Sequence, residues 1–72
     1  MKQYTVAYRM YKHEIERTII VKARNKQEAY RIAAYKDIPN KEGCQAYSVW
    51  VYGVTYNNGN YKSFNTIEGM SY

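Results

Sequence analysis

The chain has 72 residues, a formal net charge of +5 and a single cysteine. A chain of this length forms one small domain that buries only about 60% of the surface its unfolded state exposes, so we do not expect a deep catalytic cleft. One cysteine excludes an intrachain disulfide, and no stretch approaches the roughly 20 apolar residues that span a membrane.

The positive charge has two interpretations. It suits solubility, for which a net charge of this size is ordinary, and it also suits an acidic partner, either nucleic acid or an acidic protein. A lone cysteine fits a reducing compartment, and Met1-Lys2 leads directly into alternating residues rather than into an apolar signal segment. We therefore expect a cytoplasmic protein that does not bind a membrane.

Two strands are predicted in the first third of the chain. Residues 3–11 alternate between apolar and polar side chains, which is typical of a half-buried strand. Residues 17–23 are β-branched and form the second strand, after a short polar turn. The register that keeps the apolar side chains on one face places Val6 opposite Val21.

A helix is predicted to begin after Asn25. Asparagine is a preferred N-cap, and Glu28, three residues later, completes a capping box. Alanines then recur at helical spacing, which lets a helix approach a sheet closely. Because a proline disfavours helical geometry in the residue before it, we expect the helix to cover residues 26–37 and to end ahead of Pro39. Residues 38–45 are then a loop.

The second half of the chain reads as a hairpin. Residues 47–56 form the longest predicted strand and residues 61–66 the fourth strand. Between them, Asn58-Gly59 is the strongest local signal in the sequence and is typical of a type I′ turn.

A type I′ turn determines which residues of the hairpin face each other. It places Tyr56 opposite Tyr61, and it places Phe64 opposite Gly53, where an aromatic ring can cover the glycine. Residues 67–72 remain as a loose tail.

These elements predict a single α+β domain over residues 1–72, in the order β-β-α-β-β. A single helix packs on one face of a four-stranded antiparallel sheet. The order of the strands within the sheet stays open. One helix covers only one face, so the opposite face is left to solvent or to a partner.

Ten of the residues are tyrosines, which favour interfaces because they combine an apolar ring with a polar tip. Alternation places Val49 and Val51 on one face of the second hairpin, and it places Trp50, Tyr52, Val54, Tyr56 and Tyr61 on the other. Aliphatic packing under a helix of small residues favours the valines as core, which leaves an aromatic row on the open face. In the alternative arrangement Trp50 and Tyr52 are the core and both valines lie outside. The candidate binding residues are the aromatic row and the basic residues near it: Trp50, Tyr52, Tyr56, Tyr61, Arg9, Lys22, Arg24 and Lys26.

Two uses of the open face follow. A non-enzymatic interaction module would have its exposed apolar patch covered by another protein or, as a homodimer, by a second copy of the chain. The alternative is a protein that binds single-stranded nucleic acid, whose bases stack on the rings while basic residues bind phosphates. We prefer the first because no RNP-like motif is present and a charge of +5 is modest.

The start of the helix offers a further anion site. Lys26 in the first helical turn opposes the helix dipole, which a bound phosphate would offset. The simpler interpretation is a solvated cluster of basic residues.

The sequence contains no recognisable catalytic or metal-binding motif. His13, Asp37 and Cys44 are the only residues from which a Cys-His site could be built, and no orienting motif surrounds them. One histidine and one cysteine provide no metal-ligand spacing. We expect no enzymatic activity, no catalytic residues, no metal and no cofactor.

Three segments of the second half carry a family resemblance: Tyr47-Ser48-Val49-Trp50-Val51, Asn58-Gly59-Asn60-Tyr61 and Phe64-Asn65-Thr66-Ile67-Glu68-Gly69. In these segments the chain resembles small uncharacterised proteins of mobile elements, namely conjugative transposons and phages, of gut Firmicutes. The resemblance covers about the last third of the chain. It implies an intracellular bacterial accessory protein and no catalytic residues.

Overall fold

The four strands form one antiparallel sheet. The computed structural model describes residues 1–64, and the predicted loose tail at 67–72 lies outside them. The strands are β1 (Lys2–Arg9), β2 (Arg17–Ala23), β3 (Ser48–Thr55) and β4 (Tyr61–Ser63). Their order in the sheet is β2-β1-β3-β4.

One helical segment connects β2 to β3 and packs on one face of the sheet. It consists of α1 (Lys26–Ile32), a π-helical turn (Ala33–Asp37) and α2 (Ile38–Glu42). The α+β class is therefore confirmed. The predicted order β-β-α-β-β is matched only loosely, because the helical segment has three parts and β4 is three residues long.

The first hairpin differs from its predicted register by two residues. Val6 lies opposite Ile19, so its predicted pairing with Val21 is wrong. The connecting loop is longer than a tight turn and is held by Glu14, whose carboxylate accepts a hydrogen bond of 2.7 Å from the N–H of Met10. Because the shift is even, every side chain keeps its predicted face.

The predicted N-cap of the helix is confirmed. The side chain of Asn25 accepts a hydrogen bond of 2.8 Å from the N–H of Glu28. The Glu28 carboxylate in turn accepts one of 3.0 Å from the N–H of Arg24, one residue before the cap. Two N–H groups at the start of the helix are thereby satisfied.

The predicted end of the helix before Pro39 is wrong. In the π-helical turn the N–H of Ile38 donates to the carbonyl of Ala33, five residues earlier. This wider turn accommodates a proline, whose ring would press on a carbonyl of a regular helix and which has no N–H to donate. The helix continues to Gly43, whose left-handed φ of 86° ends it.

The second hairpin turns through three residues rather than two. No non-glycine residue among the described ones has a positive φ, whereas a type I′ turn would need one at Asn58 as well as at Gly59. The N–H of Gly59 donates to the carbonyl of Tyr56 at 2.9 Å, and the N–H of Tyr56 donates to the carbonyl of Asn60 at 2.8 Å. The turn is thus type I followed by a left-handed glycine.

This loop shifts the β3–β4 pairing by one residue. Thr55, rather than Tyr56, lies opposite Tyr61. The glycine is covered by Tyr61 and not by Phe64, since a Cβ atom at Gly53 would overlap the Tyr61 ring. A one-residue shift moves side chains to the other face, which is why the predicted cross-strand contacts of this hairpin are wrong.

A β-bulge divides β3. Val51 lies opposite Val6 of β1, and Gly53 lies opposite the adjacent Thr5. Tyr52 is therefore an extra residue with no partner in β1. Both Val51 and Val54 therefore lie in the helix-side core, although strict alternation would place them on opposite faces.

The core lies between the helical segment and the sheet. Val49 and Val51 lie in it, as the preferred arrangement predicts. Phe64 packs at its margin, with its ring stacked 6.5 Å from the Tyr4 ring. The buried core residues are Tyr4, Val6, Tyr8, Met10, Val21, Ala23, Ala29, Ala33, Ile38, Val49, Val51 and Val54.

Candidate functional site

The predicted aromatic row is not continuous. Trp50 pairs directly with Ala7 across β3 and β1, and neither residue belongs to the helix-side core. Trp50 is nevertheless only 5% exposed, so the prediction of an exposed Trp50 is wrong. Val54, predicted to lie in the same row, is buried beneath the helix, and Tyr52 is the half-exposed residue of the bulge.

Tyr56 and Tyr61 are both exposed at the turn end of the β3–β4 hairpin. By alternation from Val54, Tyr56 lies on the helix side, where the Nζ atom of Lys2 is 6.0 Å from its ring. Tyr61 covers Gly53 on the opposite face. The two rings thus flank the end of the sheet from opposite sides.

Near the β3–β4 turn, the face opposite the helix is polar. One cross-strand row at the end of the sheet consists of Lys22, Gln3, Thr55 and Tyr61. A shallow groove of about 460 Å³ lies at this row and is lined by Met1, Gln3, Lys22, Thr55, Tyr56, Asn57 and Gly59. The structure therefore brings two predicted site residues, Lys22 and Tyr56, to one groove.

Positive charge collects at this end of the sheet, where β1 and β4 begin and β2 and β3 end. We call this region the basic end; it carries Lys2, Lys22, Arg24, Lys26 and Lys62. Among residues 1–64, Glu28 is the one carboxylate at the basic end, since the others follow β1 or lie toward the far end of the helical segment.

Two basic residues of the basic end are occupied by contacts within the chain. Arg24 forms an ion pair of 2.9 Å with Glu28, which lowers the pKa of that carboxyl group. The Nζ atom of Lys26 lies 4.5 Å from the centre of the Phe64 ring, a cation–π contact. The Glu28 carboxylate already provides negative charge in the first helical turn. The positions of Arg24 and Lys26 are therefore explained without a bound phosphate.

Like Lys26, the other three lysines of the basic end have no carboxylate partner within residues 1–64. Within the part of the chain that the structure describes, no ion pair involves Lys2, Lys22 or Lys62. The remaining predicted basic residue, Arg9, is half-buried at the far end of β1, opposite Ser48. Arg9 and Lys22 therefore lie at opposite ends of the sheet.

Sequence reasoning missed a polar cluster at the opposite end of the molecule. The Tyr8 hydroxyl donates a hydrogen bond of 2.6 Å to Glu42, at the end of α2. Arg17 donates to the same carboxylate at 2.7 Å and also bonds Glu14. Tyr8 and Glu42 are 34 positions apart, and no local pattern connects them.

This cluster changes the acidity of its members. Burial, together with the hydrogen bond to Glu42, raises the pKa of Tyr8 to about 12. The hydrogen bonds from Tyr8 and Arg17 lower the pKa of Glu42, because both donors favour its charged form. The cluster joins β1, β2 and α2, and we assign it a structural role.

We expect the substitution Glu42→Gln to reduce the sensitivity of the fold to acid. A carboxyl group whose pKa is lowered by folding contributes stability above its unfolded pKa and loses that contribution as pH falls through the folded value. From about pH 5 to pH 3, the free energy of unfolding should therefore fall less in the variant than in the wild type. Urea unfolding across this range measures both, with the exposed Glu16→Gln as control. Equal pH slopes in Glu42→Gln and wild type would contradict the assignment.

The comparisons with known proteins contribute no relative, because no protein-family model, curated protein or solved structure matches the chain. Within residues 1–64, no group of three or more His, Cys, Asp or Glu residues could hold a metal ion. No helix in the same part of the chain has the length and apolar character needed to cross a membrane.

Proposed function

We propose that the protein is a non-enzymatic, cytoplasmic binding module that takes an acidic segment of another protein at its basic end. The observation that supports this function is a local excess of positive charge beside exposed tyrosines. Lys2, Lys22 and Lys62 have no carboxylate partner among the described residues, and Tyr56 and Tyr61 are exposed near them.

The chemistry of this end suits an acidic peptide. Lys22 lines the groove, and Lys2 and Lys62 lie on the helix side of the same end, opposite Ala23 and Val54. Uncompensated ammonium groups at one end of the sheet raise the local concentration of negatively charged partners. Gln3 and Thr55, between the charged and the aromatic residue of the row, offer hydrogen-bonding groups to a peptide backbone. Tyrosine rings supply apolar contact area with little loss of side-chain entropy.

Single-stranded nucleic acid fits the same end less well. Binding by stacking needs aromatic side chains that successive bases can follow along one surface. Trp50 is buried, and Tyr56 and Tyr61 lie on opposite sides of the sheet, so the exposed rings do not form such a platform.

A titration of isotope-labelled protein followed by NMR tests the proposal. The probes are a short polyglutamate peptide and an oligothymidylate of the same charge. We expect the peptide to shift the amide signals of Gln3, Lys22 and Thr55. In the double variant Lys22→Glu/Lys62→Glu, the affinity for the peptide should fall by about 10-fold or more, because two attractive contacts become repulsive.

The matched control is Lys12→Glu/Lys36→Glu, which changes the net charge equally through exposed lysines away from the basic end. Its affinity should change by less than about 2-fold in 0.15 M salt, where distant charges are screened. Equal losses in both double variants, or no shift at the basic end, would overturn the proposal. If the oligothymidylate bound the same residues more tightly than the peptide, nucleic-acid binding would take the place of the proposed function.

A further inference from the structure

The two edges of the sheet are protected to different degrees. The β4 edge is only three residues long and lies beside the bulge at Tyr52. The β2 edge has seven residues, contains no proline, and pairs with β1 without any irregularity. Exposed edges are normally protected by short length, bulges, proline or charge, because an unpaired strand is a template for another strand.

The charges on β2 leave most of this edge unprotected. Arg17 is neutralised by its contacts with Glu14 and Glu42, so Lys22 is the one uncompensated charge of the strand. Ile20, in the middle, is 60% exposed. Among residues 1–64, the only backbone hydrogen bonds of β2 are those of its ladder with β1.

We propose that β2 pairs antiparallel with β2 of a second copy of the chain, about a two-fold axis at Ile20. All seven residues of the strand then pair. Ile20 lies opposite Ile20 of the second copy, Thr18 opposite Lys22, and Arg17 opposite Ala23. The sheet becomes continuous through both copies.

The strand is complementary to itself in this register. No like charges face each other, whereas a two-fold axis at Lys22 would oppose two ammonium groups directly. Ile19 pairs with Val21, which extends the apolar surface beneath the helices. The two exposed isoleucines cover each other. Such a contact uses the same patch on both copies, as closed dimers do.

This interface shares one residue, Lys22, with the basic end, whereas Tyr56, Tyr61 and Lys62 lie away from the β2 edge and stay uncovered. Peptide binding is measured by the shifts of Gln3 and Thr55, and self-association by cross-linking at Ile20. The two proposals can therefore succeed or fail separately.

Disulfide cross-linking tests the register. In a Cys44→Ser background, which removes the only native cysteine, Ile20→Cys places two thiols directly opposite each other. Opposed residues have Cβ atoms about 4.5–5.5 Å apart, within reach of a disulfide. The matched control Lys22→Cys separates its two thiols by four residues along the strand, about 13 Å. We expect the first variant to cross-link roughly tenfold faster or more under mild oxidation.

A mixture supplies the positive control. Neither Thr18→Cys nor Lys22→Cys protein should cross-link efficiently alone, whereas a mixture of the two should form a mixed dimer. Equal rates for Ile20→Cys and Lys22→Cys would indicate random collision and would overturn the proposed register.

Sedimentation measures the association without cross-links. We expect the wild type to dimerise below roughly 1 mM. Ile20→Lys should be monomeric, because it opposes two positive charges. Ile15→Lys, at a loop residue that is 86% exposed, should dimerise like the wild type. A wild type that is monomeric up to this concentration would overturn the proposal.

Discussion

The substitution Trp50→Ala is expected to lower the free energy of unfolding by about 3–5 kcal/mol, the usual range for removing a buried tryptophan. Trp50 is 5% exposed and pairs with the buried Ala7. A domain of this size has a total stability of about 4–10 kcal/mol, so this loss is a large fraction of the free energy that holds the fold. Urea unfolding followed by circular dichroism measures the loss, since the chain has no second tryptophan for fluorescence.

The matched control for this prediction is Tyr52→Ala, the neighbouring aromatic residue, which is 44% exposed. It should lose less than about 1 kcal/mol. If both variants lost the same free energy, Trp50 would not be a packed residue. The expected result also means that Trp50→Ala is a poor test of binding, because it destabilises the fold as well as removing the side chain.

Ile38→Ala is expected to lower the free energy of unfolding by about 2–5 kcal/mol. Ile38 is 0% exposed and begins α2 in the segment where the sequence predicts a loop. Its side chain belongs to the core only because the helix continues past the π-helical turn. Chemical unfolding of this variant therefore tests the continuation of the helix as well as the packing.

The control for Ile38→Ala is Ile15→Ala, which removes the same atoms from an exposed loop position. Its stability should stay within about 0.5 kcal/mol of the wild type. A loss below about 1 kcal/mol in Ile38→Ala would indicate that this residue lies in an exposed loop and not in the core.

The candidate site was only partly predictable. Lys22 is correctly placed on the face opposite the helix, because an even register shift preserves faces. Trp50 lies on that face too, but its burial depends on packing that alternation does not describe. Arg24 contacts Glu28, four residues later, which is a local contact. Lys26 contacts Phe64, which is a tertiary contact.

Local interactions were enough to determine several features from the sequence by itself. The cap at Asn25 and Glu28 depends on residues three apart, and the alternating strands depend on a period of two. The α+β class follows from these elements, because a helix and a sheet with one apolar side each must bury them together.

Only the tertiary structure decided the turn at Gly59, the bulge at Tyr52 and the π-helical turn before Pro39. In each case the chain inserts or shifts one residue relative to the regular pattern. The physical reason for the outcome is burial. These adjustments bring Val54 and Ile38 into the core between the helical segment and the sheet. Burying the two side chains stabilises the fold, and no local pattern in the sequence predicts this burial.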